Sequence, residues 1–248
     1  GQKIVDPKAK TVLLYAHHDV MPAPNDDGAW ETDPFVGTIK GDRLYGRGAS
    51  DDGSGIAIHL GALAILGDKL GVNVKFFIEG EEEVGSESFI PFVKEHPEFF
   101  NADVMIVADS GNWTAEIPSL TTSLRGNTTI DVTVRVMESP RHSGAYGGAV
   151  LDANTMAALL ISSMYNEDGE LAVDGVKSQE VVGGLQQDLD EEQLRRDGSI
   201  LSSVKLPGTG SLASRLWVKP SVTVIGFDAQ PVEGSFNVIA PSCTFRLS

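Results

Sequence analysis

His17 and Asp19 stand two residues apart where an apolar run ends, so in an extended chain both side chains lie on one side. Neutral imidazole is the commonest protein ligand for zinc-like ions. A ligand histidine usually donates its other N–H to a carboxylate or carbonyl. Asp19 suits that orienting task, or a share in proton handling, although a solvent-exposed loop pair would carry the same residues. His18 points the other way and reads as structural. The stretch Leu44-Tyr-Gly-Arg-Gly-Ala-Ser-Asp-Asp-Gly-Ser-Gly55 makes a tight, backbone-rich turn before a helix. Asp51 there has two oxygens that could bridge two cations, or it could cap the helix. The spacing is not that of a phosphate-binding Walker loop. Glu79-Gly-Glu-Glu-Glu-Val-Gly85 places adjacent carboxylates at a strand end. Such acids raise one another's pKa unless a cation intervenes. With a dication present, one carboxylate can coordinate while its neighbour abstracts a proton from water. The ordinary fate of such a run is a solvated loop, but Phe76-Phe77-Ile78 and Gly85 flank this one. Asp109 follows a fully apolar run directly, as a helix cap or a site residue would.

Three apolar runs must position these groups. Thr11–Ala16, Val72–Ile78 and Val104–Ala108 read as parallel strands covered on both faces. Ser54–Leu66 and Ser86–Glu95 have helical spacing, the second with Ser86 or Ser88 as N-cap. Alternation of strand and helix predicts an α/β domain with a mostly parallel sheet flanked by helices. Ligands in such sheets sit beyond the carboxyl ends of the strands, where His17, the glutamates and Asp109 fall. The texture changes after Pro118. Asn127–Val136 alternates with period two, Leu151–Tyr165 reads as a helix begun near Asp152 or Asn154, residues 175–210 are polar with an acidic helix around Leu189–Arg196, and Ser221–Gly226 and Cys243–Leu247 are strands. This predicts a second, α+β module with antiparallel pairing, and a boundary near residues 114–122.

Bulk properties narrow the function. The chain has 248 residues and a net charge of −16, from 35 acids against 19 bases. Nucleic-acid binding relies on Lys and Arg neutralising phosphates, so nucleic acid is set aside. No apolar stretch is long enough to cross a bilayer. The single Cys243 excludes an intrachain disulfide framework and a thiolate zinc cluster, and reads as a small buried residue in a strand of a cytoplasmic protein.

The ordered set of motifs closely resembles the M20 metallopeptidase family, the aminoacylase, carboxypeptidase and dipeptidase group, over nearly the whole chain. The stretches that carry the resemblance are Tyr15-Ala-His-His-Asp-Val-Met-Pro22, Trp30–Phe35, Leu44–Gly55, Glu79–Ser86 and Val107-Ala-Asp109. In the second module, Arg141-His-Ser-Gly-Ala-Tyr-Gly-Gly148 and Asn237-Val-Ile239 resemble the family's lid histidine and substrate-side asparagine motifs. The resemblance implies a catalytic domain over residues 1–118 and a lid and dimerisation domain over residues 119–248. It implies two Zn2+ ions sharing a water or hydroxide, with Mn2+ or Co2+ as alternatives. Asp51 would bridge them, His17 and Asp109 would complete one, and Glu83 would bind the other. Glu82 would be the general base and Asp19 would orient His17. His142 would stabilise the oxyanion, often from the partner subunit of a homodimer, and Asn237 would contact the substrate.

Glu81-Glu82-Glu83-Val84-Gly85-Ser86 and Ser214-Arg-Leu-Trp-Val-Lys-Pro220 resemble the dipeptidase branch more than the deacylase branches. The expected activity is therefore exopeptidase cleavage of dipeptides or short peptides. The alternatives are an N-acyl-amino-acid amidohydrolase of desuccinylase or deacetylase type, and a metal-binding piece without turnover. The last arises because the family has a further metal-binding histidine late in the chain, whereas no histidine follows His142. Only residues 1–10 precede the first site strand, so the sequence is expected to be the middle of a longer enzyme.

Overall fold

A computed structural model describes residues 1–24, 28–114, 117–178 and 188–248. Part of the polar stretch read over residues 175–210 therefore lies outside the described residues. The chain divides into two compact units, Gly1–Thr121 and Thr122–Ser248. Among the described residues no helix is long and apolar enough to cross a membrane.

The first unit comprises β1 (Gln2–Lys3), β2 (Thr11–His17), β3 (Thr38–Lys40), β4 (Arg43–Tyr45), α1 (Gly53–Leu66), β5 (Asn73–Glu79), α2 (Phe89–Glu95), α3 (Pro97–Phe100) and β6 (Val104–Val107). Its main sheet has the order β1-β5-β2-β6. β2 pairs in parallel with β5 and β6, whereas β1 joins β5 antiparallel. β3 and β4 form a separate hairpin. Parallel strands in direct contact need long crossovers, and α1 supplies one on one face of the sheet. There Leu14 and Val74 pack with Leu63, Leu70 and Phe76. On the other face Phe77 meets Tyr15, Phe89, Phe92 and Phe100 with ring centroids 5.0–6.0 Å apart.

Two expectations need correction. β6 is not covered on both faces: it is the sheet edge, and Val104–Val107 are 45–54% exposed. An apolar run reports composition, not the neighbours that cover it. The helix expected from Ser86 starts only at Phe89, because Ser86 has the left-handed φ of 54° while its N–H donates to the Glu81 carbonyl. Ser88 sits at the N-cap position but makes no side-chain cap. Its N–H and hydroxyl instead donate to the Glu81 carboxylate, at 2.9 and 3.1 Å.

The second unit comprises β7 (Ile130–Arg135), β8 (Arg141–His142), α4 (Ser143–Tyr146), α5 (Ala153–Ser163), α6 (Glu191–Asp197), α7 (Leu212–Trp217), β9 (Val224–Asp228), β10 (Val238–Ile239) and β11 (Ser242–Leu247). Its three-stranded sheet, β7-β11-β9, is antiparallel throughout. Asp152 caps α5 by accepting from the Thr155 N–H. Ala153 and Ala157 on that helix have no exposed surface and lie against Cys243, Phe245 and Leu247. Cys243 is a buried strand residue whose thiol burial pushes up. Truncating Phe245 to Ala would cost about 3–5 kcal/mol at such a site. The protein is thus α/β: a mostly parallel sheet flanked by helices, plus a unit built on antiparallel pairing.

Candidate metal and catalytic site

Parallel pairing delivers the ends of β2, β5 and β6 to one side of the sheet. His17 is the last residue of β2 and lies level with Glu79 on β5. Its side chain is 1% exposed. The ring is held by its two nitrogens in different ways. Nδ1 is 3.1 Å from the Asp19 carbonyl oxygen, which can only accept, so Nδ1 carries a proton. Nε2 lies 3.0 Å from Asp51 Oδ1 and 3.9 Å from Asp109 Oδ1. Asp19 therefore orients His17 through its backbone carbonyl, with its carboxylate farther off at 3.4 Å. That carboxylate is committed elsewhere: it accepts the N–H groups of Glu82 and Glu83, at 3.2 and 2.9 Å.

The backbone between β4 and α1 sorts the two adjacent aspartates. Asp52, buried at the N-cap of α1, accepts from the Gly55 N–H through Oδ1 and from the His17 N–H through Oδ2, each at 3.1 Å. Asp51 is freed from capping, and its carboxylate turns toward His17. Asp52 ties the start of α1 to the end of β2, a role the sequence did not single out. Its only signal was a second acid at a helix start. Gly55 completes the link: a Cβ there would sit 2.4 Å from the Ala108 carbonyl oxygen and 2.3 Å from Asp52 Oδ1. Gly55→Ala is expected to destabilise the chain by about 3 kcal/mol, the upper range for overpacking, as a drop in the urea midpoint. An unchanged midpoint would contradict the close approach.

The three glutamates are likewise separated. Glu81 serves the start of α2, while Glu82 and Glu83 lie half-buried on the single turn Glu82–Val84. Glu79 is buried and accepts from the Tyr15 hydroxyl at 2.6 Å. Burial, then that bond, pushes the Tyr15 phenol well above its usual range. Burial also raises Glu82, with Asp109, Glu83 and Asp19 adding to it against the pull of His17. Asp109 is raised by burial and by Asp52, Asp51 and Glu83, with His17 opposing. Burial would lower His17, but the Asp19 carbonyl, Asp109, Asp51 and Glu82 outweigh it and hold the imidazole above its ordinary value. Asp19 is pushed up by burial yet ends below the carboxylate range, because the amides of Glu83 and Glu82 hold its anion.

One imidazole nitrogen and two carboxylate oxygens, from His17, Asp51 and Asp109, lie within 4.8 Å of one another. With Nδ1 protonated, the neutral ring presents a lone pair from Nε2 to two further acceptors. Three converging acceptors repel unless a proton or a cation lies among them. Imidazole with carboxylates is the donor set that zinc and its neighbours take, so the residues fit a divalent metal. Glu83 lies outside this close group, although its charge is felt by Asp109 and Glu82.

In the second unit, β8 pairs antiparallel with β10, placing His142 opposite Val238. The Ser143 N–H donates to the Asn237 carbonyl at 2.9 Å. His142 and Asn237, far apart in sequence, thus meet at one exposed edge.

Residues 13–233 match the profile of peptidase family M20/M25/M40. The chain is 38% identical over 239 residues to the cysteinylglycine-S-conjugate dipeptidase of Corynebacterium striatum, covering 94% of this chain and 52% of that protein. Among solved structures it is similar to human carnosine dipeptidase 1, at 29% identity and a TM-score of 0.71 over 99% of this chain and 55% of that one. It is also similar to the M20 family metallo-carboxypeptidase Sso-CP2 from Sulfolobus solfataricus, at 25% identity and a TM-score of 0.81 over 100% and 58%. The chain spans about half the length of the curated relatives it matches.

Proposed function

The chain belongs to peptidase family M20/M25/M40, and on that footing we propose that it carries the metal-binding and base-bearing machinery of a dipeptidase. The observation that bears most weight is the convergence of His17 Nε2 with the Asp51 and Asp109 carboxylates. His17 and Asp109 would hold one Zn2+, Glu83 a second, and Asp51 would bridge the two. When bound, the metals supply Lewis acidity, which acidifies water and polarises the scissile carbonyl.

The remaining steps belong to side chains. Asp19 fixes the His17 ring through its carbonyl and, through its carboxylate, the turn that carries Glu82 and Glu83. Glu82 takes the proton of the attacking water and returns it to the leaving amine. Proton transfer of this kind contributes roughly 10²–10⁴-fold. His142 donates to the developing oxyanion, and Asn237 contacts the substrate. Residues 1–118 form the catalytic domain, and residues 119–248 form the lid through which two copies pair. A cytoplasmic setting fits the lone Cys243. The match over residues 13–233 and the dipeptidase relative support these assignments.

The test is hydrolysis by metal-loaded protein of Cys-Gly and β-Ala-His beside N-acetyl and N-succinyl amino acids. Amino acids released from the dipeptides, stopped by a chelator and restored by zinc, are expected. Hydrolysis confined to the acylated amino acids would make the protein an amidohydrolase. Bound metal without turnover of either class would leave it a metal-binding unit.

A further inference from the structure

We propose that Gly144 is a positioning residue for His142: its backbone N–H fixes the imidazole as the Nε2–H tautomer, and its lack of a side chain leaves the ring its place. The functional consequence rests on reading His142 as the oxyanion donor, whereas the tautomer itself does not.

The Gly144 N–H donates to His142 Nδ1 at 3.1 Å. A backbone amide only donates, so Nδ1 must offer its lone pair. In the neutral ring the proton is then on Nε2, because the bond made by one ring nitrogen decides the state of the other. Nε2–H becomes the outward donor on an exposed side chain. The backbone around it is fixed independently. His142 is in register with Val238, the Ser143 N–H holds the Asn237 carbonyl at 2.9 Å, and the Gly147 N–H closes the following turn on the Ser143 carbonyl at 2.7 Å. With the backbone set, the Gly144 bond chooses the ring's orientation. Any side chain at this position crowds the ring. A Cβ at position 144 would lie 3.0 Å from His142 Cε1 and 3.1 Å from Nδ1, so the ring would have to move. The donor is a backbone amide that any residue but proline would bring; the space beside the ring is what glycine alone leaves.

Nitrogen-15 NMR on the full chain tests this without substrate or metal. The expected result is a coupling across the hydrogen bond between the Gly144 amide nitrogen and His142 Nδ1, with Nδ1 at the shift of an unprotonated ring nitrogen. A protonated Nδ1, or no coupling in the wild-type chain, would overturn the proposal whatever the activity proves to be. Gly144→Ala keeps the backbone N–H but crowds the ring, so the coupling should weaken, and a coupling of wild-type size would show that the ring does not need the space. In dipeptide hydrolysis, kcat should fall about 10- to 100-fold, as small misplacements do, with KM within about twofold. A Gly144→Ala chain with wild-type kcat would overturn the positioning role.

Discussion

Asp51→Asn is expected to remove the divalent metal while leaving the fold intact. The substitution preserves volume and does not touch the cap of α1, which Asp52 provides. It removes one of the two carboxylates facing His17 Nε2, the one at 3.0 Å. The loss in metal affinity should exceed the roughly 10- to 100-fold that partners outside the coordination shell typically cost. Calorimetric titration with Zn2+ measures it, and a urea midpoint close to wild type shows that the fold survives. Asp52→Asn should behave in the opposite sense. Its carboxylate accepts two buried N–H groups, and an amide nitrogen turned toward either of them leaves it unpaired, a cost of about 1–3 kcal/mol. Equal metal affinity in Asp51→Asn and wild type would refute the assignment of Asp51.

Glu82→Gln should leave metal content unchanged and lower kcat by about 10²–10⁴-fold. The turn survives the change because Asp19 binds the backbone N–H groups of residues 82 and 83, not their side chains. The glutamine keeps the shape of the side chain but cannot accept a proton. KM should stay near wild type, since the interaction lost belongs to the transition state. Full activity in Glu82→Gln would exclude it as the base.

The strands that carry the site were legible in the sequence, because β2 and β6 are apolar runs and β5 is rich in apolar residues, and titratable residues stand at or just beyond the end of each. What covers those strands was not, as the exposed edge at Val104–Val107 shows. The division of labour among neighbouring acids was legible only in part. Asp51 could bridge cations or cap α1 on its residue type alone, and the backbone path gives the cap to Asp52. Three consecutive glutamates look alike in sequence, yet Glu81 is drawn to Ser88. Asp19 orients His17 through a carbonyl, and every residue has one of those, so side-chain chemistry could not reveal it. His142 and Asn237 meet through the β8–β10 pairing, a long-range contact that local periodicity does not encode.

The central claim is that His17, Asp51 and Asp109 form a divalent-metal site with one imidazole ligand. X-ray absorption at the zinc edge of the zinc-loaded chain tests it most directly. The account predicts nitrogen and oxygen neighbours at about 2.0–2.2 Å, with the outer-shell scattering of an imidazole ring that disappears in His17→Ala. A shell of oxygen alone in the wild-type chain, unchanged by His17→Ala, would contradict it.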